Sequence, residues 1–385
     1  MSEKRKDSKG RILKTGESQR KDGSYMFRYS DIRNKRRCVY ALTLDKLREK
    51  EKIIQGDLSD GIDYAAGEAT VLELIKRYTE QKQGAQNKTQ QGYKFVFNLL
   101  SNEDFGYRKI NTVKPSDGKA FFIKLHNDGR GYATIVKVQS IVRPAFAMAA
   151  EDDILRRNPF SFPLKDVIPN DVEKREALSE ADTEDFLSFV QEDTCSQKYY
   201  DEIVILLGTG LRASEFCGLT VNDVDLQERR IKVDHQLLRD EHGTYYISKP
   251  KTSNGVRYIP MNNEVYTAFQ NIINNRKPPK VEHMIDGYVG FLFLDRSGKP
   301  KTVRHLDNVF KNMVKRYNNV NSKKIKVTPH ILRHTFCTRL ENSGMNPKSI
   351  QYLMGHGDLN VNIGTYAHSD YETAEKAFLK MFANG

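Results

Sequence analysis

Between residues 71 and 151, apolar side chains recur at helical spacing in four blocks, and this pattern limits the fold more than any other feature. Val71, Leu72, Leu74, Ile75 and Tyr78 lie on one side of the first block, with Lys76, Arg77 and Lys82 elsewhere. Further helices are expected over about 89–100, 114–127 and 133–151. The last is nearly continuous in small and apolar residues from Ala145 to Ala150 and belongs in an interior. Four helices in about 85 residues make a compact bundle. Asn158-Pro159 and Pro163 are expected to end it, and residues 169–174 to form a charged linker.

The flanks read differently. Tyr25–Tyr29 and Arg37–Tyr40 are short aromatic and β-branched runs joined by a polar turn, and Leu44, Leu47, Ile53, Ile54 and Leu58 suit a helix packed on them. Beyond the bundle, strands are expected at 230–236 and 245–249 around a turn at 240–243, and at 256–260 after the hairpin signal Asn254-Gly255; helices follow. The expected fold is therefore a multidomain α+β protein. Residues 1–66 form a small sheet-plus-helix module, 67–168 an all-α bundle, and 175–385 a mainly α domain with a small antiparallel sheet.

Net charge is +12, and its placement is more informative than its size. Residues 1–50 hold sixteen Lys or Arg against seven Asp or Glu, leaving the rest of the chain nearly balanced. A basic module on a neutral body points to a polyanion at one end, most simply nucleic acid. Arg28, Arg33, Lys35 and Arg36 lie on or between the strands, where a ribbon could enter a major groove. No apolar run approaches the ~18 residues of a membrane span, and no lipidation signal accompanies the charge, so no membrane contact is expected. The charged start, Met1 to Lys6, has no apolar segment behind it, so no signal peptide is expected. Cys38, Cys195, Cys217 and Cys337 form neither a zinc pattern nor a disulfide framework, and a reducing cytoplasm is the expected setting.

Three segments near the C-terminus carry chemistry. Gly208-Thr209-Gly210-Leu211-Arg212-Ala213-Ser214-Glu215 is a glycine-bounded turn into a short helix. There Arg212 can bind two phosphate oxygens, and Glu215, one turn on, can orient it. Thr328-Pro329 starts a helix just before His330, and Arg333 shares that face. A zinc site at His330 and His334 is disfavoured by the charge of Arg333 between them. Asn346-Pro347 opens another helix that Gly355 stops, leaving His356 just past its end and Tyr366 ten residues on. Any one of the 19 tyrosines is by default a core aromatic; the combination changes that reading.

Together, Thr209–Glu215, Thr328–Thr335, Leu353-Met354-Gly355-His356 and Thr365-Tyr366 resemble, in order and spacing, the boxes of the phage-type integrase family of tyrosine recombinases. The basic N-terminal module resembles the arm-site-binding domain of integrases from conjugative transposons. The resemblance implies that Tyr366 attacks a DNA phosphodiester, giving a 3′-phosphotyrosine and a free 5′-hydroxyl. Arg212 and Arg333 would clamp the nonbridging oxygens, His330 would assist deprotonation of the tyrosine, and His356 would donate to the phosphate. Family members carry a lysine on a hairpin to protonate the departing oxygen. Lys249 and Lys251 both lie near the turn, and Lys251-Thr252 matches the pattern better.

No cofactor, metal or ATP is expected, because the phosphotyrosine keeps the bond energy. The implied partners are double-stranded DNA at core and arm sites, three further copies of the chain in a tetramer, and an excisionase or host DNA-bending protein. The helix expected over 371–382, with Ala374, Ala377, Phe378 and Met381 on one face, offers a surface to a neighbouring protomer. A type IB topoisomerase and an inactive DNA-binding regulator are the competing readings. The basic module argues against the first, and the full set of six side chains against the second.

Overall fold

The computed structural model describes residues 5–382 apart from 33, 64, 83, 85–86, 173–175, 241, 251–254 and 356–370. The chain divides into two compact units, Met1–Glu173 and Lys174–Gly385. Among the described residues, no helix is long and apolar enough to cross a membrane.

The first unit opens with a three-stranded antiparallel sheet of β1 (Glu17–Gln19), β2 (Tyr25–Ser30) and β3 (Arg36–Ala41), in that order. Phe27 lies opposite Val39, and Tyr25 opposite Ala41. These side chains meet Leu44, Leu47 and Ile54 of helix α1 (Leu44–Ser59), forming a small core. Thr43 starts α1 by accepting from the Lys46 amide. The other face of the sheet carries Arg28, Arg36, Cys38 and Tyr40, all exposed. Strand β1 gave no sequence signal, because its buried residue is Glu17, held by Arg48 at 2.9 Å.

The bundle consists of α2 (Val71–Glu80), α3 (Asn87–Ser101), α4 (Pro115–Asn127) and α5 (Tyr132–Glu151). Thr70 and Glu73 cap α2 reciprocally: each backbone amide donates to the other's side chain, at 2.7 and 3.2 Å. One expectation needs correcting. The bundle's core does not end at Asn158-Pro159, since Phe160, Leu164 and Ile168 are buried in it. Asn158 turns the chain back: its Oδ1 accepts from the Phe160 amide and its Nδ2 donates to Arg143 O, both at 2.8 Å. The Phe160 ring then sits 5.0 Å from Phe146 and 5.5 Å from Phe122.

The second unit begins with α6 (Glu180–Glu192), α7 (Tyr200–Thr209) and α8 (Ala213–Gly218). Short strands β4 (Val224–Asp225), β5 (Arg230–Val233), β6 (Gln236–Arg239), β7 (Tyr245–Ser248) and β8 (Arg257–Pro260) follow. Helices α9 (Asn263–Asn274), α10 (Val303–Val320), α11 (Pro329–Asn342), α12 (Pro347–Met354) and α13 (Tyr371–Phe382) complete it. The expected strand at 230–236 is two strands in two sheets: β5 lies between β4 and β8, and β6 pairs with β7. The break is at Asp234-His235. The buried His235 ring faces Asp234 at 2.6 Å and the Gly218 carbonyl at 2.8 Å, which turns the chain. Helix α13 also departs from expectation. Its Ala374 and Phe378 are buried against Phe336, Leu340, Leu353 and Met354 of its own chain, so that face is occupied within the protomer.

Candidate active site

Helix α7 ends at Gly210, whose backbone is left-handed at φ +60°. A Cβ there would lie 2.4 Å from Phe336, so glycine alone lets this turn press onto α11. The turn delivers Arg212 to the N-terminal cap of α8. Glu215, in the first turn of α8, accepts from the Arg212 backbone amide at 2.9 Å and from its guanidinium at 2.6 Å.

Helix α11 is set by Thr328, which accepts from the Ile331 amide, and by Pro329 behind it. His330 is exposed in its first turn, whereas Arg333 is buried, with 6% of its surface accessible. Helix α12 starts under the Asn346 cap and Pro347 and stops at Gly355, again left-handed at φ +60°.

The end of α12 is where the segments meet. A helix C-terminus leaves its last carbonyls without partners and carries partial negative charge. Three consecutive carbonyls are each taken by a different arginine. Arg257 Nε donates to Leu353 O at 2.7 Å, Arg333 Nη2 to Met354 O, and Arg212 Nη2 to Gly355 O at 2.7 Å. Arg333 also donates to Gly210 O at 2.5 Å, tying the α7–α8 turn to the same point. Arg257, on β8, reaches both oxygens of Glu215, at 2.9 and 3.2 Å.

Two guanidinium groups thus hold one carboxylate, and the charge of a third, Arg333, is felt there too, a surplus of positive charge. Burial pushes the Arg333 guanidinium down to about 9, and the Arg212 charge adds to that push. Burial alone would raise the Glu215 carboxyl, but Arg257 and then Arg212 outweigh it and hold it at about 2. An anion brought to this cluster would relieve the cationic excess. Arg212, with 38% of its side chain accessible, is the member open to solvent; Arg257 has none.

Other sequence candidates fall as follows. Lys249 is exposed just past β7. Arg28 and Arg36 share the open face of the first sheet, and Lys35 is exposed in the turn between their strands. Arg33, Lys251, Asn254, His356 and Tyr366 lie outside the described residues. Two arginines escaped the sequence reading. Arg257 sits in a strand pattern where an alternating polar residue suggests solvent, and Arg20 stacks on Tyr40 at 5.2 Å beside the open face. Asp223, Asp234 and His235 are the one metal-like group among the described residues. Their ligand atoms are already engaged: Asp223 accepts from the Thr220 amide and hydroxyl, and both His235 nitrogens face acceptors.

Residues 176–373 match the model of the phage integrase family, and residues 1–58 that of the DNA-binding domain of Tn916 integrase. The transposase from transposon Tn916 of Enterococcus faecalis is 43% identical, over 97% of this chain and 96% of that protein. Tyrosine recombinase XerC of Bacillus subtilis is 25% identical, over 80% of this chain and 96% of its own. Among solved structures, Tn1549 transposon integrase in complex with a circular intermediate DNA superposes with a TM-score of 0.73. It is 43% identical and covers 81% of this chain and 99% of that one. A lambda integrase tetramer bound to a Holliday junction, 14% identical, shares the fold with a TM-score of 0.54 over 93% of this chain and 99% of its own.

Proposed function

Because this chain belongs to the phage integrase family, we propose that Tyr366 is the nucleophile with which it cuts and rejoins DNA. The chain is a tyrosine-type site-specific recombinase, an integrase that moves a mobile element in and out of DNA through a 3′-phosphotyrosine intermediate. The assignment of its residues rests on one observation. Arg212 and Arg333 converge on the last carbonyls of α12, immediately before His356, which Tyr366 follows ten residues later in the sequence.

In this reading Tyr366 Oη forms a bond to phosphorus while the bond to the 5′-oxygen breaks. Tyrosine ionises at about 10, so its proton must be removed in the transition state, with His330 assisting. Arg212 and Arg333 take the nonbridging oxygens, His356 adds a hydrogen bond, and Lys251 gives the 5′-oxygen its proton. Rejoining is the reverse, with a 5′-hydroxyl attacking the phosphotyrosine. Solved Tn1549 complexes carry either an arginine-to-lysine or a tyrosine-to-phenylalanine substitution. Those positions are as far apart in that sequence as Arg212 and Tyr366 are here, which supports the pairing.

Double-stranded DNA is the partner at both ends of the chain: the bundle of 67–168 and the domain of 175–385 on core sites, the 1–66 module on arm sites. Arg28, Lys35 and Arg36, with Arg33 between them in sequence, supply the arm contact from the open sheet face and its turn. Four copies act together, one strand each, with an excisionase or a DNA-bending protein setting direction. The test is covalent trapping on nicked duplexes carrying candidate element ends, for the wild-type chain beside Tyr366→Phe. An adduct that survives denaturation, forms in EDTA and is lost in the variant supports the reading. An adduct persisting in Tyr366→Phe removes Tyr366 from the role.

A further inference from the structure

We infer that Arg257 is a positioning residue of the recombination site: it fixes the Glu215 carboxylate that aims Arg212 and anchors the end of α12. The inference rests on the phosphate-clamping role proposed above for Arg212. Arg257 touches no surface, since its side chain is wholly buried, so it cannot meet DNA itself. Among the described residues, its directed contacts go to Glu215, the end of α12 and the Gly255 carbonyl. One edge of the guanidinium spans both Glu215 oxygens, at 2.9 and 3.2 Å, while Nε holds Leu353 O at 2.7 Å and Nη1 reaches Gly255 O at 3.3 Å.

Three consequences follow from that geometry. First, Glu215 Oε1 is shared between Arg257 and Arg212, so the carboxylate that orients the exposed arginine is itself held from behind by the buried one. A planar fork can do this; a lysine ammonium cannot span two carboxylate oxygens and a carbonyl at once. Second, Arg257 spaces the site. Gly355 accommodates it closely, as a Cβ there would lie 2.7 Å from Arg257 Nη1. Third, strand β8 reaches the helices on either side of the 356–370 segment. Arg257 holds the end of α12, while the next residue, Tyr258, donates its amide to the Tyr352 hydroxyl and packs its ring 5.8 Å from Tyr371 at the start of α13.

The experiment compares full-length wild type with Arg257→Lys and Arg257→Gln by two independent readouts. The Glu215 carboxyl is titrated by carbon-13 NMR, its signal assigned with Glu215→Gln. Adduct formation on the nicked duplexes is timed across pH, with DNA affinity measured alongside. Expected are a Glu215 titration displaced upward in both variants, adduct formation slowed about ten- to a hundredfold, and affinity held within about twofold. The acid limb of the rate profile should move with the carboxyl. An unmoved titration and an unchanged profile shape, with rates falling only as the folded fraction falls, would overturn the inference. If the single variants unfold, Glu215→Gln/Arg257→Gln removes the pair together, as buried pairs tolerate best. Its adduct rate should then match Glu215→Gln alone, and an additive further loss would count against coupling through Glu215. If no wild-type adduct forms on any end, the recombinase assignment of these residues fails, while the titration still decides what Arg257 does.

Discussion

Arg212 and Arg333 bond to adjacent carbonyls, Gly355 O and Met354 O, at the end of α12. The two side chains come from helices distant in the sequence, α8 and α11, and the shared helix terminus brings them together. Their spacing is therefore set by a backbone step and does not depend on either side chain's rotamer alone. The first prediction concerns their chemistry. Arg212→Lys and Arg333→Lys keep the charge but lose the fork, so adduct formation should fall by about 10²–10³-fold while DNA affinity changes little. A rate within a few-fold of wild type in either variant, measured by adduct trapping, would remove that arginine from the phosphate clamp.

Glu215 makes the second unit's stability depend on pH. Its carboxyl is held at about 2 in the folded chain, against an ordinary value of 4.5. A depressed carboxylate contributes stability that is present above the unfolded value and lost as pH falls through the folded one. The window is thus between about 4.5 and 2, and the full effect is about 3 kcal/mol. Arg333 does not compete there, because it stays protonated throughout. Glu215→Gln should be less stable at pH 7 by about 3–5 kcal/mol, since it strands buried cations. Its stability should also be flatter through that acid window. Hydrogen exchange in peptides spanning α8, followed from pH 7 to 3, checks both; a parallel loss of protection in wild type and variant would exclude Glu215 as the source.

Within the N-terminal module, Glu51 has the opposite sensitivity. Glu51 is buried against Glu17, which Arg48 and the Lys14 amide keep ionised. Burial, then the contact with Glu17, pushes the Glu51 carboxyl up. A raised carboxyl contributes stability that is present below its unfolded value and lost as pH rises through the folded one. Glu51→Gln supplies a permanent donor to Glu17, so exchange protection of β1–β3 should increase at pH 7. The gain should shrink as pH falls through the raised Glu51 value and be gone below about 4.5. Equal or lower protection at pH 7 would mean that the two carboxyls do not share a proton.

How far the sequence could be read depended on how local the cause was. Thr328-Pro329 and Asn346-Pro347 each start a helix through their own few residues, so those starts are legible in the sequence. The break at Asp234-His235 was not, because it depends on a carbonyl from α8. Arg257 was missed for the same reason: its partners are Glu215 and Leu353, both distant in sequence, and alternation alone assigns a polar strand residue to solvent. In the first module, the charge count does not say which cations are open to a partner. Arg11, Arg37 and Arg48 are engaged by Asp7, Asp31 and Glu17, whereas Arg28 and Arg36 stand on the open face.

Gly355 should resist substitution although it contributes no side chain. Its φ of +60° disfavours any L-residue, and a Cβ would press on Arg257. Gly355→Ala should cost about 1–3 kcal/mol of stability and slow adduct formation further than its unfolded fraction explains. Gly344→Ala is the control: it is also left-handed, at φ +75°, but has nothing within 4 Å of the added carbon. It should lose stability by the backbone term alone, with adduct formation tracking the folded fraction. Equal slowing in both would place the effect in the backbone and not at Arg257.

The choice between Lys251 and Lys249 can be made by the leaving group. Expulsion of a 5′-alkoxide requires a proton, and loss of a general acid costs about 10²–10⁴-fold. A duplex whose scissile 5′-bridging oxygen is replaced by sulfur expels a thiolate, whose conjugate acid ionises near about 8.5 and needs no such help. If Lys251 is the acid, Lys251→Ala should be slow on the oxygen substrate and close to wild type on the sulfur one. Lys249→Ala should then be near wild type on both. The reverse pattern gives the proton to Lys249. If neither variant recovers on sulfur, the hairpin lysines position the DNA, and the proton comes from elsewhere in the site.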